Sequence, residues 1–171
     1  YILLVLLRFL LQLTRADFYN PISQFIVRAT NPPLVRLRRF IPGLLGIDLA
    51  ALVLLIAMEA LRISLSALLL GHNPKFAGVI LLSLGELAKL AAYTVIFSIF
   101  IRALLSWFSH GLQHPITRLL SSFTDPMLRP VQRVLPATGG IDLSPLVVFI
   151  LMMLLLKLAV QPLLDLGRVL I

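Results

Sequence analysis

The chain contains no cysteine. It can therefore form no disulfide, present no thiolate nucleophile, build no zinc–thiolate centre and attach no haem through a CxxCH motif. It is also poor in charge. Only 13% of its residues are Asp, Glu, Lys or Arg, and only 7 of the 171 are acidic, whereas a soluble domain carries about 25% charged residues. There are three histidines. His110 and His114 stand four apart, a spacing that suits two metal ligands on one helix face. Gly111 between them weakens a helix, so they read as interfacial polar residues, with His72 alone in a turn. The three cannot build a bis-histidine haem site within a membrane. No nucleophile is paired with a base, no phosphate loop is present, and Ser106 and Ser144 sit in no triad-like setting. These shortages argue against an enzyme and predict neither a metal nor a cofactor.

What the chain has is apolar surface. Apolar residues make up 60% of it, and its mean hydropathy is +1.03. A soluble fold of this size could not bury so much, so the composition predicts an integral membrane protein. Four spans are expected: Tyr1–Leu13, Ile47–Leu70, roughly Glu86–Phe108, and Leu143–Val160. The first has 13 residues, short of the ~20 needed to cross a bilayer. The natural N-terminus is therefore expected to lie further upstream, and no small-residue cleavage site marks the run as a signal peptide. Gly71-His72-Asn73-Pro74-Lys75 reads as a turn. Phe76–Gly85 is either an extension of the third span or a separate interfacial turn, with Gly85 as the break.

Residues 8–56 align without gaps on residues 102–150, a shift of 94, with 17 identities in 49 pairs. Arg8 falls on Arg102, Pro21 on Pro115, Thr30-Asn31-Pro32 on Thr124-Asp125-Pro126, Arg39 on Arg133, Pro42 on Pro136, and Gly46-Ile47-Asp48-Leu49 on Gly140-Ile141-Asp142-Leu143. Leu-rich segments match one another by chance; Pro, Arg and Gly-Ile-Asp in fixed register do not. The chain is read as two repeats, 1–75 (degenerate and N-terminally truncated) and 76–171, each a helical hairpin in the same orientation.

The net charge of +8 suggests nucleic acid until it is placed. Residues 14–46 carry +4 and residues 109–141 carry +2. Two equivalent basic loops on one face are a topology signal, which places them in the cytoplasm and both termini outside. No aromatic platform accompanies the arginines, so nucleic acid is not expected. Each loop is read as two short amphipathic helices in the headgroup layer, split at Asn31-Pro32 and at Asp125-Pro126. Arg36, Arg38, Arg39, Arg118 and Arg129 are assigned to anionic headgroups.

These motifs resemble the YggT family of small bacterial inner-membrane proteins, called YlmG in plastids and cyanobacteria. The second repeat carries the pattern as Arg102, Ser106-Trp107, Pro115, Thr124-Asp125-Pro126, Arg129-Pro130, Arg133, Pro136 and Gly139-Gly140-Ile141-Asp142-Leu143-Ser144-Pro145. The first repeat departs from it, with Leu13 for the Trp, Asn31 for the Asp, Arg36 for Pro130 and Ala50-Ala51 for Ser-Pro. Its Asp17-Phe18-Tyr19-Asn20-Pro21 looks like the first unit of proteobacterial members. The resemblance implies an accessory or assembly role. Family members are linked to osmotic or ion tolerance, to envelope and division organisation and, in plastids, to nucleoid organisation and haem attachment.

Charges inside spans mark the candidate sites, since each costs ~2.5 kcal/mol or more at mid-membrane unless paired. Glu59 with Arg62, and Glu86 with Lys89, stand three apart and are read as intrahelical pairs or as points on an ion path. Lys157 is expected to snorkel outward or to meet an acid on a partner. Arg8 is expected to pair with Asp48, and Arg102 with Asp142, clamping each hairpin, with an ion or headgroup site between these charges as the alternative. The partners expected are anionic lipid and another integral membrane protein or complex, or a second copy of the chain. The function expected is non-enzymatic, an organising subunit, with a small ion channel or transporter as the alternative.

Overall fold

The computed structural model describes residues 1–44, 46–108, 114–135 and 142–171, and the side chains of 106–108 lie outside that description. Its elements are α1 (Ile2–Leu13), α2 (Pro21–Leu37), α3 (Leu49–Leu69), α4 (Phe76–Phe108), α5 (Pro115–Val134), α6 (Ser144–Leu155), a π-helical turn (Leu156–Val160) and α7 (Gln161–Val169). Three helical stretches are long and apolar enough to cross a membrane: Leu49–Leu69, Phe76–Leu105 and Ser144–Val169. The fourth expected span, α1, is apolar but has 12 residues.

Local chemistry sets the helix ends. Asn20 caps α2 by accepting from Ile22 N at 3.0 Å, and Pro21, whose ring presets a helical φ, is the first helical residue. Asp48 caps α3 by accepting from Ala51 N at 3.2 Å. At the other end of α3, Gly71 turns left-handed (φ +77°). This lets His72 N reach Ala67 O at 3.0 Å and Gly71 N reach Leu68 O at 3.0 Å, the paired bonds of a Schellman stop.

Two expectations about breaks are corrected. Of the two readings of Phe76–Gly85 the extension holds and the break at Gly85 does not: α4 runs unbroken through Gly85 for 33 residues. Gly85 serves contact instead, because a Cβ there would lie 2.6 Å from Leu164 Cδ2 of α7. The last helix does not stop at Val160 but continues to Val169. Pro162 has no N–H for the carbonyl four residues back. The helix widens by one residue just before it, with Gln161 N donating to Leu156 O in π fashion.

The basic segments are not split pairs of short helices. α2 runs through Pro32 and Pro33, and α5 through Pro126 and Pro130, each as one helix. At Pro33 a polar group from outside the helix relieves the defect. Pro33 frees the carbonyl of Ala29, which accepts from the Tyr1 hydroxyl at 3.2 Å.

The main core joins α1, α3, α4 and the inner faces of α2, α5 and α6 through Val5, Leu55, Val95, Leu34, Phe123 and Val148. A second cluster, built on Ile63, Leu82 and Leu164, joins α3, α4 and α7. There the helices approach closely, since a Cβ on Gly167 would lie 2.7 Å from Leu82 Cγ and 3.0 Å from Leu82 N. Gly167→Ala is expected to destabilise the fold by about 1–3 kcal/mol through overpacking, although alanine is the better helix former. Thermal unfolding in detergent reads the sign, and a raised Tm would contradict this account of the contact.

Candidate functional site

Arg8 lies on α1 among apolar residues and is only 8% exposed. Its Nη1 donates to Thr30 Oγ1 at 2.9 Å, to Asn31 Oδ1 at 2.8 Å and to Val27 O at 3.2 Å, all on α2. Thr30 is fully buried, and its hydroxyl donates to Ile26 O at 2.7 Å. Ninety-four residues on, Arg102 of α4 donates from Nη1 to Thr124 Oγ1 at 2.7 Å and to Asp125 Oδ1 at 2.6 Å on α5. Thr124 is likewise fully buried and donates to Leu120 O at 2.7 Å. An arginine reaching out of an apolar helix thus docks each proline-containing basic helix at its Thr-Asn or Thr-Asp pair. Arg129 adds a second bond to Asp125, at 2.9 Å.

The expected clamp partners are therefore corrected. Arg8 does not bond Asp48, and Arg102 does not bond Asp142. Asp48 is held by Arg38 through an ion pair and by its capping bond from Ala51 N. Asp142 accepts from Gln132 Nε2 at 2.9 Å, from Ser144 N at 2.9 Å and from the Ser144 hydroxyl. The arginines choose the nearer Thr-Asn and Thr-Asp acceptors because these sit on the helix packed directly against them. Residues 38 and 132 occupy equivalent positions 94 apart and do the same work with different charge. Burial pushes Asp48 upward, yet Arg38, the Ala51 N–H and Arg8 together hold it below the usual carboxylate range. The Ser144 hydroxyl, outweighing the desolvation that opposes it, holds Asp142 low as well, with help from the Ser144 N–H and Gln132.

In the spans, Arg62 Nε donates to Glu59 Oε1 at 3.0 Å, and Lys89 lies 3.4 Å from Glu86. Glu59 is buried, while Arg62 is half exposed. Lys157 sits exposed on the π turn and meets no acid among the described residues. Arg36, Arg39 and Arg118 are exposed, as is Arg133. Pro126 is internal to α5, and Pro115 and Pro145 open α5 and α6. His110, Pro136, Gly139 and Gly140 lie outside the described residues, as does the Trp107 side chain. No group of three or more His, Cys, Asp or Glu that could hold a metal is found among the described residues.

Sequence reasoning missed two further contacts. Asn20 Nδ2 donates to Pro115 O at 2.6 Å, and Asp17 N donates to Ser122 Oγ at 3.1 Å, tying the start of α2 to α5. The signal available was Asn20, a buried amide before a proline.

This scaffold matches known proteins. A family model described as CCB3/YggT covers residues 1–69 and 81–163. The chain belongs to this family. It is 42% identical to an uncharacterised protein of Pseudomonas aeruginosa over 157 residues, 91% of this chain and 80% of the relative. It is 43% identical to an uncharacterised Vibrio alginolyticus protein, across 88% of this chain and 82% of the relative. To the uncharacterised protein YggT of Escherichia coli K12 it is 37% identical, across 89% and 79%. No solved structure matches the chain.

Two outcomes follow from this geometry. Thr124→Val removes a buried acceptor and is expected to cost about 1–3 kcal/mol. A double-mutant cycle with Arg102→Ala should then show a coupling of about 0.5–3 kcal/mol, and simple additivity would contradict the docking role. Asp48 has a folded pKa below its unfolded one, so its contribution is complete above about pH 4 and vanishes as pH falls through the folded value. The Tm advantage of the wild type over Asp48→Asn should therefore shrink below about pH 4 and stay level from there to neutrality.

Proposed function

We propose that the chain is a non-enzymatic integral protein of the bacterial inner membrane that serves as an accessory or organising subunit, held by anionic lipid and docked on another membrane protein complex. The observation that carries this reading is the state of the last span. Only 11% of its most apolar window is buried within the chain, while Leu146, Phe149, Ile150 and Met153 stand half exposed along α6. Such a face is available to lipid or to the helices of a partner. The basic segments supply the second half of the reading. The positive-inside rule puts α2 and α5 at the cytoplasmic face, with α1 counted as a fourth crossing and both termini periplasmic, where Arg36, Arg39 and Arg118 would meet anionic headgroups. The family's links to assembly and division agree with a role of this kind.

A channel or transporter is the second reading, favoured by the buried Glu59 and the charge pairs within α3 and α4. Isolation in mild detergent decides between them. A stoichiometric integral membrane partner supports the organising role. A homo-oligomer that conducts ions in liposomes, with flux abolished by Glu59→Gln, overturns it in favour of transport.

A further inference from the structure

A cavity of about 650 Å³ opens between the end of α1, the start of α2 and the loop before α3. That size lies within the ~300–1,000 Å³ typical of small-ligand sites. Arg8, Arg15 and Arg38 line it, with Asp48 as the one acid among its lining residues, so its walls carry a net charge of +2. Asp48 is already bonded to Arg38 and to Ala51 N. The bonds of Arg8 all use Nη1 and all go to neutral acceptors, so its charge faces no carboxylate in contact. Arg15 forms no ion pair among the described residues.

The equivalent positions of the second repeat are built differently. Arg102 bonds the carboxylate of Asp125 where Arg8 bonds the amide of Asn31. Gln132 holds Asp142 where Arg38 holds Asp48. Ser109 occupies the sequence position that matches Arg15. Each exchange removes a positive charge or adds a negative one, so the excess belongs to the first repeat.

The backbone at Arg15 adds a second observation. Arg15 N donates to Gln12 O at 3.1 Å and Ala16 N to Leu11 O at 2.9 Å, a Schellman stop for α1. Arg15 fills the left-handed position, φ +52°, where glycine is the residue without strain. An arginine among the cavity's lining residues thus stands where its backbone conformation costs stability. The lining also carries hydrocarbon, from Leu11, Phe18 and Ile26.

We propose that this cavity binds one amphiphile with an anionic phosphodiester head, its phosphate oxygens on the guanidinium groups of Arg8, Arg15 and Arg38 and its hydrocarbon on Leu11, Phe18 and Ile26. Planar guanidinium forks match phosphate oxygens. The inference rests on the reading of the basic segments as lying at headgroup depth, and deepens it from a diffuse attraction to a single built site.

The test titrates the whole purified chain in mild detergent with phosphatidylglycerol, phosphatidylcholine or inorganic phosphate, with native mass spectrometry and Tm as readouts. One phosphatidylglycerol should be retained per chain and raise Tm. Phosphatidylcholine should not be retained, and inorganic phosphate should compete only weakly. Asn31→Asp, which places an acid where the second repeat has Asp125, should weaken phosphatidylglycerol binding about tenfold. Arg15→Gly should weaken it similarly yet raise the lipid-free Tm, a split that a purely structural arginine does not produce. Equal retention of phosphatidylcholine, or an Asn31→Asp chain that binds like the wild type, overturns the proposal. Inorganic phosphate binding as tightly as the lipid overturns the amphiphile in favour of a free anion. Alkaline extraction from vesicles, run in parallel, separates the two readings. Loss of the wild-type chain from the membrane would overturn the headgroup-depth reading, whereas a retained chain with unchanged Asn31→Asp binding overturns the cavity alone.

Discussion

An arginine in an apolar helix is the constraint from which the architecture follows. Left unpaired in a span, it costs ~2.5 kcal/mol or more. Its fork must therefore find acceptors at a fixed reach and direction. Arg8 and Arg102 find them on α2 and α5, in a fully buried threonine hydroxyl and the amide or carboxylate beside it. A charge-assisted bond contributes ~1.5–3 kcal/mol, so two such bonds offset the insertion cost and leave a surplus that docks the helix. The same bonds account for basic helices that run through two prolines each: the acceptors sit immediately before the first proline, where the turn is weakest and the neighbouring helix braces it.

With that bond network in place, charge can be exchanged without moving the frame. Asn31 and Asp125 accept from their arginines at 2.8 and 2.6 Å. Arg38 and Gln132 both reach the acid that precedes the following helix. Geometry is shared while electrostatics diverge, which is the expected outcome when one unit keeps a structural duty and the other takes a ligand. The strained Arg15 lies on the positive side of that divergence.

Much of this was legible in the sequence. The apolar content, three of the four expected spans, the basic segments and the i,i+3 charge pairs rest on composition or on spacing within one helix, and both survive without knowledge of the tertiary fold. The Arg8 and Arg102 partners were not legible in the same way. Each arginine had an acid available at the start of the next expected span, Asp48 before α3 and Asp142 before α6, and only the packing of α1 on α2 and of α4 on α5 shows that Thr30-Asn31 and Thr124-Asp125 are the acceptors. The prolines misled for a related reason. Pro32 and Pro126 look like helix starts when the carbonyls that internal prolines free are assumed to need water, but at Pro33 a neighbouring side chain supplies the donor to Ala29. Gly85 looked like a break because its contact, Leu164, lies far along the chain.

The two ends of the molecule are held by opposite means, and this bears on function. At 33 residues α4 is about 50 Å long, well beyond a hydrocarbon core of ~30 Å. Its first turns are covered by α7 through the close approaches at Gly85 and Gly167, an apolar contact with no polar bond in it. At the other end, α1, α2, α4 and α5 are joined by arginine bonds and by Asn20 on Pro115 O. The pairs Glu59–Arg62 and Glu86–Lys89 are each spent within their own helix, while Arg36, Arg39 and Arg118 stand exposed on the basic helices. On the proposed reading, binding capacity is free at the basic end of the bundle and along the exposed flank of the last helix. Those are the surfaces the proposed organising role would use.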